Sequence, residues 1–305
     1  MMTIRRLLLQ DLAEPVRLKL NQLSFFTSDG FCNLWRTLGG RPVCYLGQEG
    51  SEDLFALSAV EFGRLFWKRL QAMPDGTYGR IVKLADSVDS AQAGQLLLQK
   101  LHGAGYIKVH VYDFHMEFPR PAKWEVKDCQ AHVVELTGPE WQPPDGKLRS
   151  EIRKAQRDGV QIRKYDDSID RDAFHKLREA TEARHGGKGR YPIEFYDALA
   201  RLTREDDRVW WYVVEADREL AASHVYLRDG NMLLNWMVHF DKKFSYLKPN
   251  QLMTFTLAER GIENGVTRLN LGSTPIEVPT LAAYKEKWGG EIFRYPCYYF
   301  GRGGL

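Results

Sequence analysis

Helical and strand periodicities alternate most clearly in the second half of the chain. Between Asp145 and Asp158, the apolar residues Leu148, Ile152 and Ala155 recur at helical spacing, which predicts an amphipathic helix. Runs of β-branched and aromatic residues bounded by Gly, Asp or Pro predict strands in the same region. The other predicted helices are 168–184, 192–202, 249–265 and 280–288, and the predicted strands are 209–215, 220–227, 232–239, 268–271 and 292–300.

The first half repeats this order of elements less regularly. Both halves contain antiparallel strands, then a helix, then a strand, which predicts an internal structural repeat. A cluster of turn residues from Gly138 to Gly146 separates them. Because 305 residues is the length of about two domains, we expect domains at 1–145 and 146–305. The strands predicted in the first half are 43–46, 54–59, 62–70, 78–84 and 106–114, and its helix is 90–102.

Composition indicates an ordinary globular protein, with 44% apolar and 27% charged residues. A net charge of +3 is too small to indicate nucleic-acid binding by itself. The sequence lacks an apolar run of transmembrane length, and the apolar stretch near its start is too short for a signal peptide. We therefore expect a cytoplasmic protein without stable membrane insertion. The four cysteines are scattered, so neither a disulfide framework nor a metal site is expected.

Short motifs in a fixed order connect the sequence to a known family. They resemble motifs of the FemAB family of transferases, within the GNAT superfamily, and also occur in BioF-type acetyltransferase-like domains. The resemblance implies an α/β fold of two tandem GNAT-like domains, each with a mixed, mostly antiparallel sheet flanked by helices. The motifs are FFTS at 25–28 ahead of Trp35, LRSEIRKA at 148–155 followed by GV at 159–160, RHG at 184–186, LNLG at 269–272 and YKEKWGG at 284–290.

The resemblance also implies the transfer of an acyl or aminoacyl group to an amino group. In the FemAB family the acceptor is usually a peptidoglycan precursor, a component of cell-envelope biogenesis, and the donor is a charged tRNA. No tightly bound cofactor is expected. The sequence lacks the long helical hairpin of some tRNA-using members, and Asn270 and Tyr284 stand where the family often has Asp and Phe. Two alternatives remain: a CoA-dependent N-acyltransferase acting on an amino sugar or exopolysaccharide precursor, and a non-catalytic binding module.

Candidate substrate-binding residues begin with an arginine row on the first helix of the second half. Arg149, Arg153 and Arg157 are four positions apart and share one helix face, where guanidinium groups suit phosphates or carboxylates. A solvated helix face is the alternative. Segment 241–250 contains no glycine, so the usual CoA-binding loop of GNAT proteins is missing, although its lysines are able to bind an anion. Arg184 belongs to a motif of the resemblance and joins the substrate-binding set.

Candidate catalytic residues cluster in the last motif. By the resemblance, Lys285 stabilises negative charge developing on the acyl group, and Tyr284 protonates the leaving group; packing of Tyr284 on Trp288 is the alternative. Asn235 and His239 end a strand near the point where a GNAT sheet opens and are weaker candidates, of which His239 is considered for a catalytic role. The remaining substrate-binding candidates are Asn270 and Ser273.

Overall fold

The structure is a computed structural model that describes residues 2–184, 186–187, 189–274 and 278–301. The chain divides into two compact units. The first contains the chain up to Gln130 together with the C-terminal segment from Arg294, and the second is Ala131–Phe293.

Within the described ranges, the chain forms eight α-helices and thirteen β-strands. Those from the start of the chain to the unit boundary are β1 (Met2–Leu8), α1 (Glu14–Leu23), α2 (Asp29–Leu34), β2 (Arg41–Glu49), β3 (Glu52–Phe62), β4 (Arg69–Ala72), β5 (Ile81–Lys83), α3 (Ser90–Gly103), β6 (Lys108–Tyr112) and β7 (Glu125–Glu135). Those that follow are α4 (Gly146–Arg157), β8 (Gln161–Lys164), α5 (Asp167–Arg184), α6 (Ile193–Glu205), β9 (Val209–Ala216), β10 (Glu219–Asp229), β11 (Met232–Phe240), α7 (Pro249–Glu263), β12 (Arg268–Ser273), α8 (Pro279–Glu286) and β13 (Glu291–Gly301).

The first unit is built on a mostly antiparallel sheet. Its strands lie in the order β1-β2-β3-β4-β6-β13, and β5 also pairs with β3. Only the pairing of β4 with β6 is parallel among these strands, and α3 lies between them in sequence. The apolar face of α3 packs against the sheet in a core that includes Leu97, Leu101, Val109 and Tyr298.

The second unit has the same plan, with strands in the order β7-β12-β11-β10-β9-β8 and helices on both faces. Successive strand residues point to opposite faces. Tyr212 of β9 joins the core formed with α4 and α7, whereas the neighbouring Trp211 contacts Phe174 of α5 on the other face. The helix α4 contributes Leu148 and Ile152, two of the apolar positions predicted from its periodicity.

The sheet of the second unit opens where β11 and β12 separate. These parallel strands, joined by α7, pair only over Met232–Leu234 and Arg268–Asn270. Beyond that point β11 continues to Phe240, while β12 turns at Gly272, which has a φ of 78°. The Oδ1 atom of Asn270 accepts a hydrogen bond from the Gly272 N–H at 2.8 Å and stabilises the turn. The opening exposes side chains from the middle of the unit.

The structure confirms the predicted fold class of mixed α/β with mostly antiparallel sheets flanked by helices. The boundary expected near residue 145 lies inside the second unit, and the closing strand β13, assigned to the second half, belongs mainly to the first unit. The reason is strand pairing, because β13 pairs antiparallel with β6, and β7 pairs antiparallel with β12.

Two local predictions were wrong. The segment 62–70 does not form a strand throughout, because a 3₁₀ turn at Leu65–Trp67 separates β3 from β4. No disulfide framework was expected, but Cys129 and Cys297, 168 positions apart in sequence, form a disulfide. Long-range pairing of this kind cannot be read from spacing, whereas Cys32 and Cys44 are free and buried.

Candidate functional site

A cavity of about 350 Å³ lies at the opening between β11 and β12. Its walls come from the ends of β11 and β12, the first turns of α7, the C-terminal part of α5, and α8. The polar lining residues are Thr181, Arg184, His224, Asn235, Asn250, Gln251, Thr254, Tyr284 and Lys285. The cavity brings together three residues predicted from sequence motifs, Arg184, Tyr284 and Lys285, the weaker candidate Asn235, and five polar residues that were not predicted.

Lys285 is the central charged group of this cavity. Its side chain is only 5% exposed, and its Nζ atom donates hydrogen bonds to the carbonyl oxygens of Gly272 and Ser273, both at 2.8 Å. Among the described residues, no carboxylate forms an ion pair with it. Burial lowers the pKa of Lys285 to about 8. An ammonium has three N–H donors, so one remains for a bound molecule.

Tyr284 is half-buried beside Lys285 and packs edge-to-face on Trp288, with ring centroids 6.3 Å apart. Burial raises the pKa of Tyr284 to about 12. The phenol therefore stays protonated at neutral pH and is able to donate a proton to a departing group. Packing and proton donation do not exclude each other, because the ring packs on Trp288 while Tyr284 lines the cavity.

His224 and Asn250 form a polar pair on the cavity wall. The Nε2 atom of His224 lies 2.9 Å from Oδ1 of Asn250, on the first turn of α7. Burial lowers the pKa of His224 to about 4, so the imidazole is neutral at pH 7. Its Nδ1 atom has no hydrogen-bond partner among the described residues. No sequence motif pointed to His224; the signal available was a histidine in the mainly apolar middle of β10.

The loop before α7 does not have the form of a phosphate cradle. Segment 242–247 is a 3₁₀ helix that uses its own N–H groups, including that of Lys243, which donates to Asp241 Oδ1 at 3.0 Å. Two lysines of the loop already have acidic partners. Lys248 Nζ lies 3.1 Å from Glu151, and Lys243 forms an ion pair with Glu219. The structure thus agrees with the glycine-free sequence of this loop.

The arginines predicted to bind substrate occupy different places. Arg184 lines the cavity, donates to the carbonyl oxygen of Phe240 at 2.5 Å and lies over the Phe240 ring at 5.2 Å. Arg149 donates to the carbonyls of Pro143 and Pro144, at 2.8 and 2.7 Å. Arg153 and Arg157 are exposed on α4 and line shallow depressions rather than the Lys285 cavity.

His239 does not reach the cavity. It is buried on the other face of β11, in ring contact with Phe174 and Tyr196, and burial lowers its pKa to about 3. A β-bulge explains this placement. In the antiparallel pairing of β10 with β11, Tyr226 lies opposite Asn235, but the neighbouring Val225 lies opposite Met237. One residue of β11 between Asn235 and Met237 therefore has no partner on β10. Residues after the bulge therefore point to the face opposite the one that simple alternation predicts.

Asn270 and Ser273 do not line the cavity with their side chains but shape the backbone turn that contacts Lys285. Asn270 is fully buried and holds the Gly272 turn, and Ser273 offers its carbonyl to Lys285 while its side chain is exposed. A larger depression of about 760 Å³ elsewhere in the second unit is lined by Arg228, Glu259 and Arg260. It contains none of the predicted catalytic residues, so the Lys285 cavity is the better candidate site.

Sequence comparison identifies the class of this domain. Residues 146–286 match the family model described as acetyltransferase (GNAT) domain. No curated protein sequence matches the chain at a significant level. Residues 146–286 therefore form a GNAT acetyltransferase domain, which makes the chain an acyltransferase.

Solved structures similar to this chain share the fold at low sequence identity. FemX has a TM-score of 0.69 and 11% identity, with 96% of each chain covered. The C-terminal domain of a protein assigned as a lysylphosphatidylglycerol synthetase from Agrobacterium fabrum has a TM-score of 0.61 and 14% identity, covering 93% of this chain and 89% of that one. A tandem GNAT protein from the clavulanic acid biosynthesis pathway has a TM-score of 0.51 and 12% identity over 100% of both chains.

Proposed function

We propose that this acyltransferase transfers an acyl or aminoacyl group to an amino group of a cell-envelope precursor, in the cavity around Lys285. The observation that carries the proposal is the buried ammonium of Lys285. Two of its N–H groups are occupied by backbone carbonyls at 2.8 Å, so the third is held in a fixed direction. A preorganised donor in a poorly solvated cavity suits an oxygen that becomes negative during reaction.

The proposed reaction needs no covalent enzyme intermediate. The acceptor nitrogen attacks the carbonyl carbon of an ester or thioester, and the carbonyl oxygen becomes an oxyanion that accepts a hydrogen bond from Lys285. The intermediate then collapses, the C–O or C–S bond breaks, and an amide forms. The nitrogen loses one proton to solvent, and the leaving oxygen or sulfur gains one from the protonated Tyr284 of the cavity, whose phenolate then recovers a proton from solvent. Positioning both reactants supplies much of the rate.

The envelope acceptor is supported by the resemblance and by the names of the similar structures. FemAB proteins usually act on peptidoglycan precursors, and one similar structure is assigned to lysylphosphatidylglycerol synthesis. Acyl-CoA is the typical co-substrate of GNAT domains. The 3₁₀ loop before α7 offers few free N–H groups for a pyrophosphate, which favours an aminoacyl-tRNA donor over CoA.

Product analysis tests this proposal. The purified chain is incubated with either radiolabelled acetyl-CoA or a mixture of radiolabelled aminoacyl-tRNAs, and with either a UDP-muramyl pentapeptide or phosphatidylglycerol vesicles. We expect label in an amide of the pentapeptide, identified by mass spectrometry, and its loss in Lys285→Met. Label found only in an ester of phosphatidylglycerol would contradict the amino-group acceptor. Transfer from acetyl-CoA alone would establish the CoA-dependent alternative. Absence of transfer from every pairing, with an intact fold, would contradict the proposal and favour a binding module.

A further inference from the structure

The turn between β3 and β4 presents three large apolar side chains to solvent. Leu65, Phe66 and Trp67 are 78%, 84% and 74% exposed. Single exposed apolar residues are common on protein surfaces, but three consecutive ones form a contiguous patch. We call residues 65–67 the apolar tip.

The apolar tip has a defined backbone conformation. It forms a 3₁₀ turn in which the Trp67 N–H donates to the carbonyl oxygen of Arg64 at 3.0 Å. The preceding Gly63 has a φ of 82°, and a Cβ atom there would lie 2.4 Å from the Trp67 carbonyl oxygen. The carbonyl of Lys68 accepts a hydrogen bond from the Ile107 N–H at 2.9 Å. The turn therefore displays the apolar side chains instead of burying them in the unit.

Basic residues surround the apolar tip. Arg64 precedes it, Lys68 and Arg69 follow it, and Lys108 lies directly opposite Arg69 in the register of β4 and β6. None of these four side chains forms an ion pair with another described residue. Their positive charges are therefore available to an external anionic surface.

The acidic residue nearest to the tip in sequence does not neutralise this charge. Glu61 is buried, and two other arginines already bind it. Arg6 Nε lies 2.6 Å from its Oε1 atom, and Arg41 Nη2 lies 2.5 Å from its Oε2 atom. The surface around the tip thus combines exposed apolar area with a local excess of positive charge.

We infer that the apolar tip inserts into the headgroup region of an anionic phospholipid bilayer and attaches the chain peripherally. Tryptophan favours the membrane–water interface, and the apolar area of neighbouring side chains adds affinity. Arginine and lysine near the surface are attracted to anionic lipid. A groove on another protein would also accept apolar side chains, but it would not require four unpaired cations around them. This inference does not depend on the proposed reaction.

Vesicle flotation tests the inference with the full chain. Vesicles contain phosphatidylcholine alone or phosphatidylcholine mixed with phosphatidylglycerol. We expect binding to the anionic vesicles that weakens as salt concentration rises. The double variant Phe66→Ser/Trp67→Ser should bind about 100-fold more weakly, about ten-fold for each aromatic side chain removed. The triple variant Arg64→Gln/Lys68→Gln/Arg69→Gln should lose about five-fold for each charge.

A matched control uses an exposed apolar residue in a different electrostatic setting. Ile169 is 69% exposed and lies beside Asp170 on α5, so Ile169→Ser should leave vesicle binding unchanged. Trp67→Phe should retain binding within a few-fold but lose the fluorescence quenching that brominated lipids produce at the tip. Equal binding of the wild type to neutral and anionic vesicles would overturn the inference. So would binding that is unaffected by the Phe66→Ser/Trp67→Ser change, or tip-dependent self-association of a chain that ignores vesicles.

Discussion

The Nζ atom of Lys285 lies 2.8 Å from the carbonyl oxygen of Gly272, at the turn where β12 leaves its parallel partner. This contact connects the opening of the sheet to the charge inside it. Asn270 sets the turn, the turn presents two carbonyl oxygens, and those oxygens orient the ammonium. An ammonium buried without a carboxylate partner costs stability, so its presence at a cavity is a reason to assign it a role.

Replacing Lys285 by Met should lower turnover by about 10²–10³, typical for removal of one oxyanion donor. Methionine keeps the apolar stem without the charge, so substrate affinity should change much less. The measurement is kcat and KM with the donor and acceptor found in the labelling screen, and circular dichroism verifies the fold. Normal turnover of Lys285→Met would remove this residue from the mechanism and leave Tyr284→Phe as the next variant to measure.

The pH dependence of activity should reflect the lowered pKa of Lys285. If the ammonium is required, activity is present below pH 8 and falls as pH rises through about 8. The expected profile of kcat/KM has a descending limb near that pH, and the residual rate of Lys285→Met should lack it. A wild-type profile that stays flat up to pH 10 would contradict the assignment.

Stability should change with pH in the opposite direction. The pKa of Lys285 is about 8 in the folded chain and 10.5 when unperturbed, so the unfolded state binds more protons between these values. The free energy of unfolding of the wild type should therefore rise from pH 8 to 10.5 relative to that of Lys285→Met. Urea titrations at several pH values measure this difference, which isolates Lys285 from the tyrosines that titrate in the same range.

Sequence motifs singled out the charged residues of the candidate cavity but not most of the polar residues that line it. The YKEKWGG motif singled out Lys285 and Tyr284, which are neighbours on α8, and both line the same cavity. His239 was selected because it ends a strand near the opening of the sheet, but a bulge in β11 turns its side chain to the other face. His224 was not selected, because its role depends on contact with Asn250, which is 26 residues away in sequence.

In the fold, too, features set by local sequence were predicted and features set by long-range pairing were not. Periodicity predicted α4 and α5 within a few residues, since each buries one apolar stripe, and the terminal signals Pro249 and Gly265 predicted α7. It did not predict β1 at the start of the chain, whose register with β2 is set by long-range pairing. The apolar run at 65–67 was interpreted as strand because hydrophobicity alone does not distinguish a buried segment from an exposed tip.

Two buried histidines on the paired strands β10 and β11, His224 and His239, provide a matched test of which face of the sheet is functional. Both have lowered pKa values, but only His224 lines the cavity. We expect His224→Leu to reduce kcat/KM at least ten-fold, because Asn250 loses its partner at the wall. His239→Leu should keep kcat within two-fold, since the Nδ1 atom of His239 has no hydrogen-bond partner in the described part of the chain and apolar replacement is near neutral. Equal losses of activity in both variants would show that the substitutions act through packing of the sheet and not through the cavity.

The exposed arginines of α4 should matter only for a long polyanionic donor. With aminoacyl-tRNA, Arg153→Ala and Arg157→Ala should each raise KM by up to about ten-fold, leave kcat unchanged and reduce the salt slope by about 1. Arg201→Ala, an exposed arginine on α6, is the control and should have no effect. Wild-type kinetics in both α4 variants would show that Arg153 and Arg157 lie on an ordinary solvated helix face and do not bind the donor.

Gly290 should be required to keep α8 and Lys285 in place. A Cβ atom at Gly290 would lie 2.8 Å from the backbone carbonyl oxygen of Lys285, closer than real contacts allow. Because the obstructing atom is backbone, Gly290→Ala should displace the end of α8, lower the free energy of unfolding by about 1–3 kcal/mol and reduce kcat.

Gly103→Ala, at the end of α3, is the control, since a Cβ there meets nothing within 4 Å. Because alanine reduces the conformational entropy of the unfolded chain, the free energy of unfolding of Gly103→Ala should equal that of the wild type or exceed it by about 0.4–1 kcal/mol. Its kcat should be unchanged. Thermal and urea unfolding of both variants, measured beside their kinetics, compare the two sites directly. Full activity and stability in Gly290→Ala would mean that α8 tolerates displacement, and that the position of Lys285 is less constrained than its two carbonyl contacts indicate.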